Sequence, residues 1–350
     1  MEFIKSELYR ESELDLSKHL KKVAYFASDN GLGHIKRSII ISKYLSKFFN
    51  IIIFSNKKKI KQFDLKKKLK VKNFLFGEFK YGKNLDTSWY KKINKNVIKN
   101  FDFFICDNYP EILNIKTNKK VFIFANFFWH QITKIKKNSL LKIEKNIKKK
   151  KIRIIGNYIF QDKQIKKKFL TCGIGFLGKF QGRLNYEKNI LISLGTAYLD
   201  RKYLIQFEKQ INQITKNRDF EYCNIYLDKI FYNKFAHYKN IYRADYSESM
   251  FKKISIAIVK PGLGIINDCL SHGIYLISVE LPFNREYLNN SNLINKNRLG
   301  KNSKSLIKGF EISQNILNKK QKLKNMFYRY KKLKWNGERN LYNYIRTIIK

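Results

Sequence analysis

SIAIVKPGLGIINDCLSHGIYLISVELP, running from Ser255 to Pro282, reads as a strand, a glycine turn, a short helix and a second strand. Ile254, Ile256, Ile258 and Val259 form an apolar, β-branched run of strand length. Pro261, Gly262 and Gly264 interrupt it. Ile265, Ile266, Cys269 and Leu270 then recur at helical spacing, and Gly273 stands where a helix C-cap falls. A second apolar run, Ile274 to Val279, stops at Leu281-Pro282. A helix that opens straight after two glycines presents free backbone N–H groups and the positive end of its dipole. An anion can therefore approach without meeting a Cβ. Asp268 lies four residues past Gly264, on the same face of the helix. A carboxylate there would repel a phosphate but could take the hydroxyls of a ribose one step further out. Read as backbone alone, Pro-Gly-x-Gly is equally a tight turn inside a βαβ unit.

Upstream the chain offers a second unit of the same kind. VAYFAS (Val23–Ser28) is a strand, and Ile35, Ile39, Ile40, Tyr44, Leu45 and Phe48 give one apolar helix face. Ile51 to Phe54 returns as a strand. The loop between, Asp29-Asn30-Gly31-Leu32-Gly33-His34, is no dinucleotide fingerprint. Its third glycine would be Lys36, and the second strand ends in Ser55-Asn56 rather than an acid. What stands there is G-x-G-H-x-x-R: Gly31, Gly33, His34 and Arg37. At the C-terminal edge of a parallel sheet an imidazole can accept a hydroxyl proton near neutral pH, or it can merely cap the helix. Phe101 to Cys106 is a strand ending in Asp107-Asn108-Tyr109-Pro110, where Asp107 is a contact to an acceptor, an orienter of His34, or only the acid that opens a turn.

Val121 to Ala125 is a further strand, and the aromatic run Asn126 to His130 is expected to pack under a loop. Lys134 to Lys151 is a basic amphipathic helix, suited to a solvated surface or to an anionic bilayer. Lysine runs near Lys57 and Lys66 read as solvated loop or helix surface, and Gly77 to Trp89 as irregular chain. Gly173, Gly175, Gly178 and Gly182 mark a loop-rich connection, so the passage between two domains is expected between Lys151 and Asn189. Ile190 to Leu194 opens the second domain and runs into Gly195-Thr196-Ala197. The divisions expected are an extension over 1–20, a first domain over 21–150, a second over 151–330 and a returning helix over 331–350.

KPGLGIINDCLSHGIYLISVELPFNREYLNNSNLI, with the G-x-G-H loop before it in the right order, resembles the donor-binding stretch of GT-B nucleotide-sugar glycosyltransferases. It is similar to the family that adds N-acetylglucosamine to lipid-linked muramyl-pentapeptide (glycosyltransferase family 28-like), and more distantly to plant and macrolide UDP-sugar transferases. The resemblance implies an α/β GT-B fold, two Rossmann-like doubly wound domains facing across a cleft. It implies transfer of a sugar from a nucleotide-diphosphate sugar, a UDP-sugar first of all, to an acceptor hydroxyl, without a metal or cofactor and with inversion. By the same resemblance the donor diphosphate falls on Gly262, Leu263 and Gly264, the ribose on Asp268, and the sugar hydroxyls on Glu286 with Asn290 nearby. Ser193 and Thr196 in ISLGTA would face the phosphates, and Tyr246 and Met250 would form part of the wall. Lys260 stands where plant-type enzymes carry histidine, and Tyr287 where many members carry glutamine. His34 would be the base, with Asp107 beside it, and Gly31, Gly33 and Arg37 would form the acceptor and phosphate loop.

Composition bounds the alternatives. The 350 residues suffice for two cores, and 44% hydrophobic content is ordinary for a globular protein. A net charge of +46 is not ordinary. Lysine far outnumbers arginine and is scattered with Asn and Ile along the whole length, which disfavours nucleic acid as partner. Compositional bias and an anionic membrane surface carrying a sugar or lipid-linked acceptor fit better. Cys106, Cys172, Cys223 and Cys269 lack paired spacing, so neither a disulfide framework nor a zinc site is expected. With no span-length apolar run and no apolar leader, the expectation is a cytoplasmic protein, peripheral to the inner face of a membrane if it meets one. Two rivals stand beside the transferase: a nucleotide-sugar hydrolase or epimerase on the same fold, and a non-catalytic basic protein that binds RNA or anionic lipid.

Overall fold

The computed structural model describes residues 20–63, 69–76, 88–128, 137–195, 201–281 and 284–349. Thr196, the 1–19 part of the extension, most of Gly77–Trp89, and Trp129-His130 with the first residues of the basic helix lie outside the described residues. Near-continuous apolar runs such as VAYF, FFIC, ILI and IAIV suit strands buried on both faces, as parallel sheets require. Two such sheets form. The first is 7-stranded, in the order β3-β2-β1-β4-β5-β6-β7. Its strands are β1 (Lys22–Phe26), β2 (Asn50–Ser55), β3 (Lys70–Asn73), β4 (Phe103–Asp107), β5 (Lys120–Phe124), β6 (Ile154–Asn157) and β7 (Thr171–Ile174). The second is 6-stranded, in the order β10-β9-β8-β11-β12-β13. It comprises β8 (Asn189–Ser193), β9 (Asn224–Leu227), β10 (Ile241–Arg243), β11 (Ile256–Val259), β12 (Tyr275–Val279) and β13 (Gly300–Ser303). Every pairing is parallel.

Each sheet reverses its winding once, between β1 and β4 in the first and between β8 and β11 in the second. The crevice at such a reversal, beyond the carboxyl ends of the strands, is where doubly wound folds bind ligands. The register sets Phe26 beside Cys106 and Ser193 beside Val259. His34 and Asp107 therefore leave adjacent strands of one sheet, and Ser193 and Lys260 leave adjacent strands of the other.

In the first sheet, two strands differ from the sequence reading. Thr171–Ile174 is strand β7 rather than loop, held by a full ladder to Ile154–Asn157. Because β6 and β7 belong to the first sheet, the passage between sheets occupies residues 175–188, within the stretch from Lys151 to Asn189. Lys70–Asn73 is an edge strand in a region read as solvated lysine surface; one paired edge suffices where side chains need no burial. The helix over Lys137–Lys149 buries Ile143 and Ile147 in the core on one face of the first sheet, leaving Leu141 exposed. Its apolar stripe is thus largely taken up by packing within the chain. No helix among the described residues is long and apolar enough to cross a membrane.

The helix Gly337–Ile349 returns to the first sheet, where Leu341 and Ile345 are buried with Ile35, Ile39 and Ile41. Tyr342 stacks on Phe48 with ring centroids 3.9 Å apart. The two chain passages between the halves run side by side. Phe176 N–H donates to the Lys334 carbonyl at 2.7 Å, and the Gly337 N–H to the Phe176 carbonyl at 2.8 Å.

Candidate active site

A cavity of about 670 Å³ lies between the carboxyl edges of the two sheets. From the first half it is lined by Gly31, Gly33, His34 and Arg37, and from the second by Ser193, Lys260, Gly262, Leu263, Gly264, Asp268 and Glu286. Asp107 and Asn290 do not line it. Asp107 is fully buried behind His34, and the buried Asn290 donates its amide to the Pro261 carbonyl at 2.9 Å. Asn290 thus braces the glycine turn, and with Glu286 it lines a small adjoining hollow.

The first-half cluster is built on the helix Leu32–Leu45, which opens at Gly31 with φ 92°, a left-handed value that favours glycine. One turn in, His34 and Arg37 point to the same carboxylate. Asp107 Oδ1 lies 3.1 Å from His34 Nδ1. Arg37 Nε donates to Asp107 Oδ2 at 3.0 Å, and its Nη2 bonds Oδ1. Arg37 Nη2 is also 2.8 Å from His34 Nδ1, which either donates to Asp107 or accepts from Arg37. Burial pushes the Asp107 carboxyl up, but the charges of Arg37 and His34 and their hydrogen bonds outweigh it and leave it below its ordinary value. Burial holds the His34 imidazole below its ordinary value, only partly offset by Asp107. The imidazole is therefore neutral at neutral pH. With Nδ1–H turned to Asp107, the lone pair sits on Nε2.

On the opposite wall, the helix Leu263–Ser271 opens at Gly262, and no side chain caps it. A Cβ on Gly262 would find nothing within 4 Å, and its φ of −75° suits any residue. Lys260 is buried beneath Gly195, where a Cβ would come within 3.1 Å of the lysine Cε. Its ammonium lies 5.2 Å from the Tyr287 ring centroid. Burial lowers the Lys260 pKa to about 8 although Asp228 and Glu286 oppose the shift. Burial likewise raises Glu286 to about 7 against Arg37 and Lys260. Asp268 accepts from Lys36 Nζ at 2.6 Å.

Asp228 was not legible as a site residue. It follows β9, is buried, and accepts from the Leu194 N–H at 2.7 Å and the Gly195 N–H at 3.1 Å. Tyr246 OH also bonds it, and Ser193 Oγ stands 2.8 Å from that hydroxyl. The amides of Leu194 and Gly195 are thus committed to a carboxylate. The signal that could have found Asp228 is the one that found Asp107, an acid at the C-terminal end of a parallel strand.

No protein-family model matches the chain, and no curated protein matches it in sequence. Solved structures do match it. The glycotransferase of kitacinnamycin superposes with a TM-score of 0.59 at 8% identity, over 94% of this chain and 98% of that one. LpCGTa in complex with UDP gives 0.60 at 11% identity, over 93% and 99%. Arabidopsis thaliana UGT89C1 complexed with UDP-L-rhamnose gives 0.58 at 10% identity, over 89% and 93%. With two facing parallel sheets that superpose along nearly their whole length on these glycosyltransferases, the chain has the GT-B fold.

Proposed function

We propose that this protein transfers a sugar from a nucleotide-diphosphate sugar to an acceptor hydroxyl in the cleft between its halves. One observation carries the reading. His34, backed by the buried Asp107, from the first half and an uncapped, glycine-opened helix with two carboxylates from the second meet at a single cavity.

The acceptor hydroxyl gives its proton to His34 Nε2 as its oxygen attacks the anomeric carbon. Asp107 holds the Nδ1–H and stabilises the imidazolium that forms. The bond from the anomeric carbon to the donor phosphate oxygen breaks, and the nucleoside diphosphate leaves with the electron pair. Its charge is met by the N–H groups at Leu263 and Gly264, the helix dipole and the Lys260 ammonium, while Gly262, whose own N–H is held by the Lys260 carbonyl, leaves room for the phosphate to approach. Asp268 takes the ribose hydroxyls and Glu286 those of the sugar. Attack opposite the leaving group gives inversion, and the cationic wall does the work a metal would otherwise do. A uridine nucleotide is the first donor to test, since UDP or a UDP-sugar is bound in two of the similar structures. The +46 charge supports an anionic or lipid-linked acceptor.

The test is turnover of UDP-sugars with and without acceptor hydroxyls, in wild type and His34→Ala. The reading expects His34→Ala to lose about 10²–10⁴-fold in turnover while nucleotide binding is kept. Release of free sugar at the full rate without any acceptor would make the protein a hydrolase instead.

A further inference from the structure

Lys36 lies two residues past His34, on the first half of the molecule, yet its ammonium reaches across the cleft to Asp268 Oδ2 at 2.6 Å. The side chains of the pair are 36% and 16% exposed, so the bond sits on the cavity wall rather than in a core. The backbones beside it nearly touch: a Cβ on Gly264 would lie 3.4 Å from the Cα of Gly33. The first turns of the helices Leu32–Leu45 and Leu263–Ser271 therefore face each other at this point, and Lys36 spans them.

Asp268 is also the carboxylate assigned above to the donor ribose. A vicinal diol offers two O–H donors and engages both oxygens of a carboxylate, one of which Lys36 already holds. An ion pair that borders the cavity can be opened by a ligand that competes for its carboxylate. Once released, the ammonium remains tethered within the wall onto which the uncapped Gly262 turn opens, where a diphosphate would concentrate negative charge.

We propose that Lys36 is an exchange residue for the donor. It pairs with Asp268 before the nucleotide binds, cedes Asp268 to the ribose, and then pairs with the diphosphate. The first half thereby contributes to donor binding, and donor arrival rearranges the contact that holds the two halves together at the cleft. This inference rests on the donor placement proposed above.

The experiment is calorimetric titration of uridine and UDP into wild type, Lys36→Met, Lys36→Arg and Asp268→Ala. The other nucleosides and their diphosphates are run in parallel. Lys36→Met should bind the nucleoside about threefold tighter, since its competitor is gone. The same variant should bind the diphosphate about tenfold weaker, since a charge-assisted bond is lost, and Lys36→Arg should restore it. Equal affinities for both ligands in Lys36→Met and wild type, or a change of both in the same direction, would overturn the exchange. If Asp268→Ala weakens binding while Lys36→Met does nothing, the exchange fails and the donor placement stands. If Asp268→Ala binds like wild type, or no nucleotide binds the wild type, the donor placement itself fails.

Discussion

In the proposed reaction His34 is the base, and its state is set by burial and by Asp107. Burial keeps the imidazole neutral, and the tautomer that donates Nδ1–H to Asp107 leaves the lone pair on Nε2. Asp107→Asn should therefore lower kcat by about 100-fold or more through loss of the tautomer, with nucleotide affinity unchanged. A stopped assay beside a binding titration checks this. The Asp107 carboxyl titrates below its ordinary value, so its stabilising contribution is present above that ordinary range and is lost as pH falls through the folded value. Acid unfolding of Asp107→Asn should show less of that dependence. Lys260, whose pKa burial lowers to about 8, is charged below that value and loses its proton above it. Donor affinity should fall as pH rises through about 8, and Lys260→Arg, which keeps its charge, should flatten that fall. Gly262 offers the cleanest separation of folding from function. Neither its φ nor any neighbour requires glycine, so Gly262→Ala should leave the melting temperature unchanged or slightly raised. If its empty side holds a diphosphate, nucleotide affinity should nonetheless drop about tenfold.

At the scale of elements, the strand–turn–helix–strand reading of residues 255–282 matches β11, the helix Leu263–Ser271 and β12 because every local signal there agrees. The apolar runs, the Pro-Gly break and Gly273, with φ 76° past the helix end, all point one way. The first βαβ unit was legible for the same reason. β13 was not, since its sequence is GKNS and its strand character comes only from its ladder to Leu276–Val279. Nor was β3, whose KVKN offers a single apolar residue. The site divides along the same line. Residues announced by glycines, His34, Gly262, Gly264 and Asp268, could be read locally. The roles of Asp228, Asn290 and Lys36 depend on partners 18 or more residues away, and no spacing encodes those contacts. Asp228→Asn should free the Leu194–Gly195 loop and cost about 1–3 kcal/mol, because a buried network would lose its charged acceptor. Chemical denaturation would measure this.

For the whole molecule, the two halves are joined by paired passages rather than by one linker. The chain at 175–178 is hydrogen-bonded to the chain at 334–338, where Gly178 N–H also donates to Glu338 Oε2 at 2.9 Å. Asn267 clamps Leu177 from the second half through both of its amide atoms. A Cβ on Gly175 would lie 2.3 Å from the Lys334 carbonyl oxygen, so Gly175→Ala forces these strands of chain apart. A loss of about 1–3 kcal/mol is expected, seen as a lower melting temperature. Net charge acts at this scale too, but it sets encounter and solubility rather than fold. In the proposed function, the cavity between the sheets binds a nucleoside diphosphate at the Gly262 turn. The direct test is thermal unfolding of wild type and Asp268→Ala in a panel of nucleoside diphosphates and nucleotide sugars. A ligand at 100 times its Kd stabilises the folded state by about 2.7 kcal/mol, so one nucleotide should raise the wild-type melting temperature clearly and Asp268→Ala much less. No shift with any nucleotide, together with tight and salt-sensitive binding to RNA or anionic vesicles, would contradict it.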